Sequence, residues 1–426
     1  MSQGLENLSA AEIELFQEQK LLEMLLYLQQ KSPYYQRLFS ESNISVNTIN
    51  SLRDLQKIPT TTKEDFAKNN FDFLCVPCQK IIDYTTTSGT TGTPVTVALT
   101  ENDLQRLAYN EEQSFLTAGC KSSDVFQLLL TLDRQFMAGM AYYLGIRKMG
   151  ASAIRSGAVS PQAQWENIFR FKPNVLVAVP SFVLKMLDYA EAGKINFATS
   201  SVQKIICIGE PIRNADLTPN ILAKRINGKW NVALHSTYAS TEMQTAFTEC
   251  EHANGNHLRP ELLIVELLND AGEQVKSGEA GEVTITTIGV EGMPLLRYRT
   301  GDICISNSEK CKCGRNTIRL SPVIGRKNQM LKYKGTTIFP TAIYDALSHV
   351  EEVKDYVVEI SKNKIGMDEI LIHLSISGST DVVEPKLKSA LQTKLRAIPC
   401  INFVSSQYLQ SLRPSESRQP VLIIFR

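Results

Sequence analysis

Thr85-Thr-Thr-Ser-Gly-Thr-Thr-Gly-Thr-Pro94 packs six threonines, one serine and two glycines into ten residues. Glycine lets backbone N–H groups come close to a phosphate, and hydroxyls add donors without fixed charge. The apolar run Ile81, Ile82 and Tyr84 leads straight into this stretch, so it reads as a strand opening into a loop. Such a loop can wrap the β- and γ-phosphates of a nucleotide; on composition alone a flexible linker fits as well. The spacing Gly-x4-Gly-Lys-Ser/Thr of the common phosphate-binding loop is absent.

Upstream, Ser9-Ala-Ala-Glu12 has the pattern of a capping box, and Ile13, Phe16, Leu21, Met24, Leu25 and Leu28 recur at helical spacing. The stretch from Asp54 to Asp65 reads as a short helix, a proline stop and a new helix capped by threonine. Downstream, residues 125–185 alternate apolar runs such as Val125–Leu132 and Val175–Val179 with helical patterns. That alternation predicts α/β layers. Val202–Ile208 predicts another buried strand, ending in Gly209-Glu210-Pro211. From Leu258 to Ile288 the pattern becomes strand–turn–strand, with Asn269–Gly272 and Lys276–Gly278 as turn signals. After Gly325-Arg326 the pattern restarts, with a helix from Pro340 and a strand near Glu369–Ser377. The expected fold class is α/β, with a large region 1–325, a small region 326–426 and a domain boundary near 325–330.

The 426 residues carry 45 Lys+Arg against 44 Asp+Glu, a net charge of +1, which argues against nucleic acid as the main partner. Hydrophobic residues make up 43%, enough to bury cores and to exclude a disordered chain. Glu6, Glu12, Glu14 and Glu18 precede the first lysine, the reverse of a secretory leader, and no apolar run approaches a membrane span. The expectation is a soluble, cytoplasmic protein without membrane attachment. Nine cysteines is an odd number, and a chain this size can build a core without staples, so no disulfide framework is expected.

Tyr238-Ala-Ser-Thr-Glu242, Arg297-Tyr-Arg-Thr-Gly-Asp302, Gly325-Arg326 and Leu331-Lys-Tyr-Lys-Gly335 follow the hydroxyl-rich loop in order. This order resembles the adenylate-forming superfamily of acyl-CoA synthetases, adenylation domains and luciferases. With Ser51–Pro59, Thr62-Lys63-Glu-Asp65 and Gly209-Glu-Pro211 added, the chain looks most like the phenylacetate–CoA ligase family, along essentially its whole length. The resemblance implies the adenylate-forming fold, with residues 1–325 binding ATP and acid and residues 326–426 acting as a mobile lid. It implies that a carboxylate is joined to the α-phosphate of ATP and then passed to the thiol of coenzyme A, with magnesium on the phosphates. Thr87, Ser88, Gly89, Thr90, Thr91 and Gly92 are expected to form the phosphate loop. Tyr238 is expected to stack on adenine, opposite Gly209, Glu210 and Pro211. Thr241 is expected to bond the α-phosphate and Glu242 to hold magnesium. Asp302 would accept the ribose hydroxyls, Arg326 would support ribose or phosphate, and Lys332 would face the second half-reaction.

Three departures from the family pattern stand out. Thr93 occupies a position where lysine is frequent; Lys327-Asn328-Gln329 replaces a carboxylate-rich hinge. The family's Ser-Glu-Gly-Lys matches Ser415-Glu-Ser-Arg418, placing Arg418 where the adenylating lysine is expected. Arginine keeps the charge but not the compact shape. Two other readings therefore remain: adenylation with transfer to a carrier-protein thiol, and a degenerate acyl-adenylate-binding protein.

Cys250, His257 and Cys311-Lys-Cys313-Gly314 form a Cys3His set of the kind that zinc takes in closed structural sites; the resembled family carries the same arrangement. His252 competes with His257, but the longer gap from Cys250 closes a chelate more easily. Cys75-Val-Pro-Cys78 is a second pair, without further ligands nearby in sequence. Phe136, Tyr142, Pro180, Phe182 and Phe247 are the candidates for a flat apolar slot suited to an aryl or short apolar acid, although each taken singly reads more readily as core; Arg134, an unusual charge in this stretch, faces either a polar substituent of the acid or solvent. A homodimer is compatible with all of this.

Overall fold

The computed structural model describes residues 4–87, 95–329, 331–333, 336–362, 368–413 and 423–425. The chain divides into two compact units, Met1–Val323 and Ile324–Arg426.

In the first unit, Ser9 caps α1 (Ala10–Lys31) by the reciprocal Ser9–Glu12 bonds that the sequence announces. The helical pattern breaks at Ser32-Pro33, where Ser32 caps a second helix, α2 (Pro33–Glu41), with proline at its first position. Thr62 and Asp65 form another capping box at α3 (Lys63–Lys68). The hydroxyl-rich stretch begins on β1 (Ile81–Thr86), where Thr85 and Thr86 pair antiparallel with Val97 and Thr96 of β2 (Thr96–Thr100). Residues 88–94 lie outside the described residues, and with them Ser88, Gly89, Thr90, Thr91 and Gly92.

The α/β layers follow. They comprise α4 (Glu101–Thr117), β3 (Val125–Leu128), α5 (Met137–Met149), β4 (Ser152–Arg155), α6 (Pro161–Phe171), β5 (Val175–Ala178), α7 (Pro180–Ala192), β6 (Lys204–Cys207), α8 (Ile221–Lys229) and β7 (Ala233–Ser240). Strands β4-β3-β5-β6-β7 pair in parallel in that order. All four residues of β5 are buried, as a strand with helices on both faces requires. Leu176, Ala178, Ile205 and Cys207 pack with the α6–α8 face, and Phe126, Leu128, Val175 and Val177 with Phe115, Tyr142 and Ile146 of α4 and α5.

Beyond β7 the sheet continues antiparallel through β8 (Thr245–Glu249), β9 (Asn256–His257), β13 (Arg319–Leu320), β12 (Tyr298–Asn307), β11 (Ala280–Thr287) and β10 (Leu263–Leu268). Between β11 and β12, Glu282 faces Ile303 and Thr284 faces Arg299, so Thr300–Asp302 of β12 bulge out of register. Gly301 at φ 78° makes that bulge possible.

The second unit contains β14 (Gly325–Arg326), β15 (Leu331–Tyr333), β16 (Thr336–Ile338), α9 (Pro340–Ser348), β17 (Val353–Lys362), β18 (Asp368–Ile376), α10 (Thr380–Leu395), β19 (Cys400–Phe403), α11 (Ser406–Leu412) and β20 (Ile423–Phe425). Its main sheet runs β19-β18-β17-β20, and Ile343, Leu347, Ile372, Leu374, Leu387 and Leu391 form its core. Gly325 has a packing reason: a Cβ there would lie 2.1 Å from the Phe339 ring. Among the described residues no helix is long and apolar enough to cross a membrane.

Candidate active site

Parallel sheets bind ligands at the carboxyl ends of their strands, where the strand order reverses. Here the reversal lies between β3 and β5, since the chain passes from β3 out to β4 and returns on the other side as β5. The segments leaving these two strands carry Arg134 and Phe136, and Pro180 and Phe182. Arg134 and Gln135 both adopt left-handed backbone, at φ 57° and 55°, and the Gln135 carbonyl accepts Thr86 N–H at 3.0 Å. That bond ties the foot of the β1–β2 hairpin to the switch point. Phe136 and Phe182 are half-buried there, whereas Tyr142 and Phe247 are core residues, 2% and 0% exposed.

The next two strands end at the same edge. Gly209, at φ 73°, and Glu210 follow β6. The Glu210 carboxylate accepts Ser181 N–H at 2.9 Å and Ser181 hydroxyl at 2.8 Å, so it caps α7 and ties β6 to β5. Burial pushes its pKa up, against those bonds. Pro211 is exposed. β7 outruns β6, and its last residues, Thr237–Ser240, pair only with β8. Thr237 hydroxyl donates to the Cys207 carbonyl at 2.8 Å, fixing this overhang.

The bulge in β12 turns Asp302 toward that overhang, and Tyr238 hydroxyl donates to Asp302 Oδ2 at 3.0 Å. Both are buried, at 7% and 6% exposure. Burial and then the neighbouring Asp302 carboxylate hold the Tyr238 proton on far above its ordinary range. Thr241 and Glu242 occupy the turn that joins β7 to β8. Tyr298 lies beside Glu242, and burial and then the Glu242 carboxylate push its pKa up. Lys63 Nζ stands 3.7 Å from Glu242 Oε1, presented by the first residue of α3. Lys63 was quoted in the sequence pattern but assigned no role there; its only signal was the Thr62 cap that fixes where it points.

Thr87 proves to close the hairpin: its N–H donates to the Val95 carbonyl and its hydroxyl accepts Val95 N–H, each at 3.0 Å. Arg326 is exposed on β14, and Lys332 lies on β15. Arg418 falls outside the described residues.

A second constellation lies in the antiparallel part. The register places Thr248 and Arg319 on either side of His257, which brings Cys250, just past β8, beside the β12–β13 loop. The ligand atoms of Cys250, His257, Cys311 and Cys313 all lie within 4.8 Å of one another. Cys250 Sγ to Cys311 Sγ is 3.7 Å and Cys313 Sγ to His257 Nε2 is 3.5 Å. A zinc tetrahedron with Zn–S of about 2.3 Å and Zn–N of about 2.0 Å has edges of about 3.8 and 3.5 Å. His257 Nδ1 is bonded to Thr317 Oγ1 at 2.9 Å, which leaves Nε2 facing the sulfurs. Burial, and then Arg315, Arg319 and Arg259, push His257 down to about 3, so its imidazole is neutral. Gly314 at φ 92° permits the tight Cys311–Gly314 turn, closed by Gly314 N–H to the Cys311 carbonyl. His252 pairs with Glu251 and is not part of the cluster.

With this geometry in place, comparison with known proteins is decisive. The profile of the family described as AMP-binding enzyme matches residues 45–292. The chain belongs to the AMP-binding enzyme family. Similarity to curated members extends further than that match. The phenylacetate-coenzyme A ligase of Thermus thermophilus is 26% identical over 378 residues, 88% of this chain and 83% of that one. The enzyme of the same name from Aromatoleum evansii is 25% identical over 403 residues, 92% of this chain and 88% of that one. Among solved structures, a 2-hydroxyisobutyryl-CoA ligase in complex with 2-HIB-AMP superposes with a TM-score of 0.87 at 21% identity, covering 99% of this chain and 91% of that one. The α/β architecture described above is thus the adenylate-forming fold. The carboxyl edge bearing Tyr238, Glu242 and Asp302 is the candidate site of this AMP-binding enzyme.

Proposed function

We propose that the protein is an AMP-forming acid–thiol ligase that activates an aryl-type carboxylic acid with ATP and transfers the acyl group to coenzyme A. In the first step a carboxylate oxygen attacks the α-phosphorus and the bond to pyrophosphate breaks. In the second the coenzyme A thiolate attacks the acyl carbonyl and AMP leaves. The observation that carries this reading is the Tyr238–Asp302 pair beside Glu242, inside a chain similar along its length to coenzyme A ligases. Asp302 accepts the two ribose hydroxyls, a task suited to a carboxylate facing a cis-diol, and Tyr238 orients it by its hydroxyl bond. The Tyr238 ring borders the adenine.

A single buried carboxylate suits magnesium, which keeps most of its shell for water and phosphates. Glu242 is that ligand, and the ion would neutralise the phosphate charge that otherwise repels the incoming carboxylate. Thr241 bonds the α-phosphate. Lys63 adds a cation at the same place, relevant because Thr93 stands where lysine is frequent. Arg418 and Lys332 serve adenylation and transfer respectively, and Arg326 supports the nucleotide. The aryl class follows from the apolar Phe136 and Phe182 at the switch point and from the names of the curated relatives. Cys250, His257, Cys311 and Cys313 hold a structural zinc that ties β8 and β9 to the β12–β13 loop.

The test is pyrophosphate release from ATP and magnesium with a panel of aryl and short-chain acids, with and without coenzyme A. Acid-dependent release that rises with coenzyme A supports the ligase. Release indifferent to coenzyme A points to a carrier-protein thiol. No release from protein that still binds ATP overturns the proposal.

A further inference from the structure

The turn carrying Thr241 and Glu242 is held in a conformation it would not choose alone. It has four residues, 241–244, closed by the Ser240–Thr245 pair. Gln244 sits at φ 49°, a left-handed conformation unfavourable for a residue with a side chain. Its amide is 1% exposed, and among the described residues neither Oε1 nor Nε2 finds a partner. Such strain persists only where the surroundings over-determine the backbone.

The surroundings here are one face of α4. Arg106, 7% exposed, donates from Nη1 to the Gln244 carbonyl at 2.7 Å and from Nη2 to Thr245 Oγ1 at 3.1 Å. It also donates to the Leu262 carbonyl at 2.7 Å and the Ile288 carbonyl at 2.8 Å, at the ends of β10 and β11. Thr245 Oγ1 passes the grip on, donating to the Met243 carbonyl at 3.1 Å. One helical turn along, the Asn110 amide pairs both ways with Ala246, accepting its N–H at 2.7 Å and donating to its carbonyl at 3.0 Å. One turn back, Asp103 accepts the N–H groups of Glu291 and Gly292. A guanidinium buried among carbonyls and a hydroxyl is costly to desolvate, and what it secures is the register of this turn against α4 and the two strands.

We infer that Arg106 is a positioning residue for adenylation: acting through the Gln244 carbonyl and Thr245, it sets where Glu242 meets the magnesium–pyrophosphate group. This rests on the reading of Glu242 as the magnesium carboxylate. Only the first half-reaction uses that group, since transfer from a finished acyl-adenylate involves no pyrophosphate. The two halves therefore separate positioning from general support of the fold.

The experiment compares wild type, Arg106→Met and Thr245→Val in two assays. One is acid-dependent pyrophosphate release titrated with Mg2+; the other is transfer from presynthesised acyl-adenylate to coenzyme A. For Arg106→Met the expected result is a loss of release of about ten- to a hundredfold, the scale of a misplacement of about 1 Å. The Mg2+ requirement rises, and transfer, which keeps only the Thr241 bond to the α-phosphate, falls by a smaller factor than release. Thr245→Val preserves volume and leaves Arg106 in place, so it decides the matter if Arg106→Met does not fold; it shifts the Mg2+ requirement the same way by a smaller factor. Equal losses in both assays, or an unchanged Mg2+ response in Thr245→Val, overturn the inference. If wild type itself releases no pyrophosphate, the ligase reading has failed instead. Calorimetric ATP binding with and without Mg2+ then reads the same positioning: Thr245→Val must weaken the Mg2+-dependent part, and equal binding to wild type refutes it.

Discussion

Glu111, on α4, is 4% exposed, and among the described residues its Oε2 has no hydrogen-bond partner. Gly145 of α5 packs directly on it, since a Cβ at that glycine would lie 2.4 Å from Glu111 Cβ. Burial raises its pKa from the ordinary 4.5 to about 8; Arg259 nearby only partly opposes this, and Tyr142 is a further titratable neighbour. The folded chain thus keeps a proton that the unfolded chain releases. Glu111's contribution is present in full below pH 4.5 and is lost as pH rises toward 8. The slope is about 1.4 kcal/mol per pH unit, hence roughly 2–3 kcal/mol between pH 5.5 and 7.5. Glu111→Gln has no proton to lose. A buried amide N–H without an acceptor costs about 1–3 kcal/mol at every pH, so the offset carries no information and the slope does. Urea unfolding followed by the fluorescence of Trp165 and Trp230, both in the first unit, is the assay. The difference between variant and wild type should move in favour of the variant by a urea midpoint on the order of 1 M across that window. His235 and His257, pushed down to about 4 and about 3 by burial, act alike in both proteins and cancel. Parallel pH dependences would show that Glu111 does not hold its proton.

Other measurements bear on the site. Asp302→Asn should raise the KM for ATP about ten- to a hundredfold, the worth of hydrogen bonds to a charged acceptor, and Tyr238→Phe should cost less; the reverse order would mean that Tyr238 does more than orient Asp302. Cys313→Ala should lower bound zinc from one equivalent to well below half by elemental analysis, whereas His252→Ala should leave it unchanged. Gly139→Ala would place a Cβ 2.1 Å from the Thr131 carbonyl oxygen and should destabilise by about 1–3 kcal/mol in the same urea assay. Lys63→Met should slow pyrophosphate release more than thioester transfer, and equal slowing would remove Lys63 from the phosphate region.

Local chemistry was readable without coordinates wherever one short segment fixes its own geometry. Ser9–Glu12 and Thr62–Asp65 close capping boxes because donor and acceptor sit three residues apart. The buried run Val175–Ala178 announces a strand covered on both faces, and Cys311–Gly314 announces a tight turn. The roles expected of Tyr238, Glu242 and Asp302 came from the order of motifs shared with the adenylate-forming superfamily, since their residue types alone suit many tasks. What needed the tertiary structure was pairing across long stretches of chain. Asp302 reaches Tyr238 through a two-residue register shift between β11 and β12, which periodicity along one strand cannot reveal. Glu210 spends its carboxylate on Ser181, Lys63 stands beside Glu242, and Arg106 grips Gln244, each from a distant element. The sequence by itself determined the types of side chain and the local turns, because those depend on neighbours within a few residues. Which of them share a site was decided by sheet order and register, which exist only once the whole core has packed.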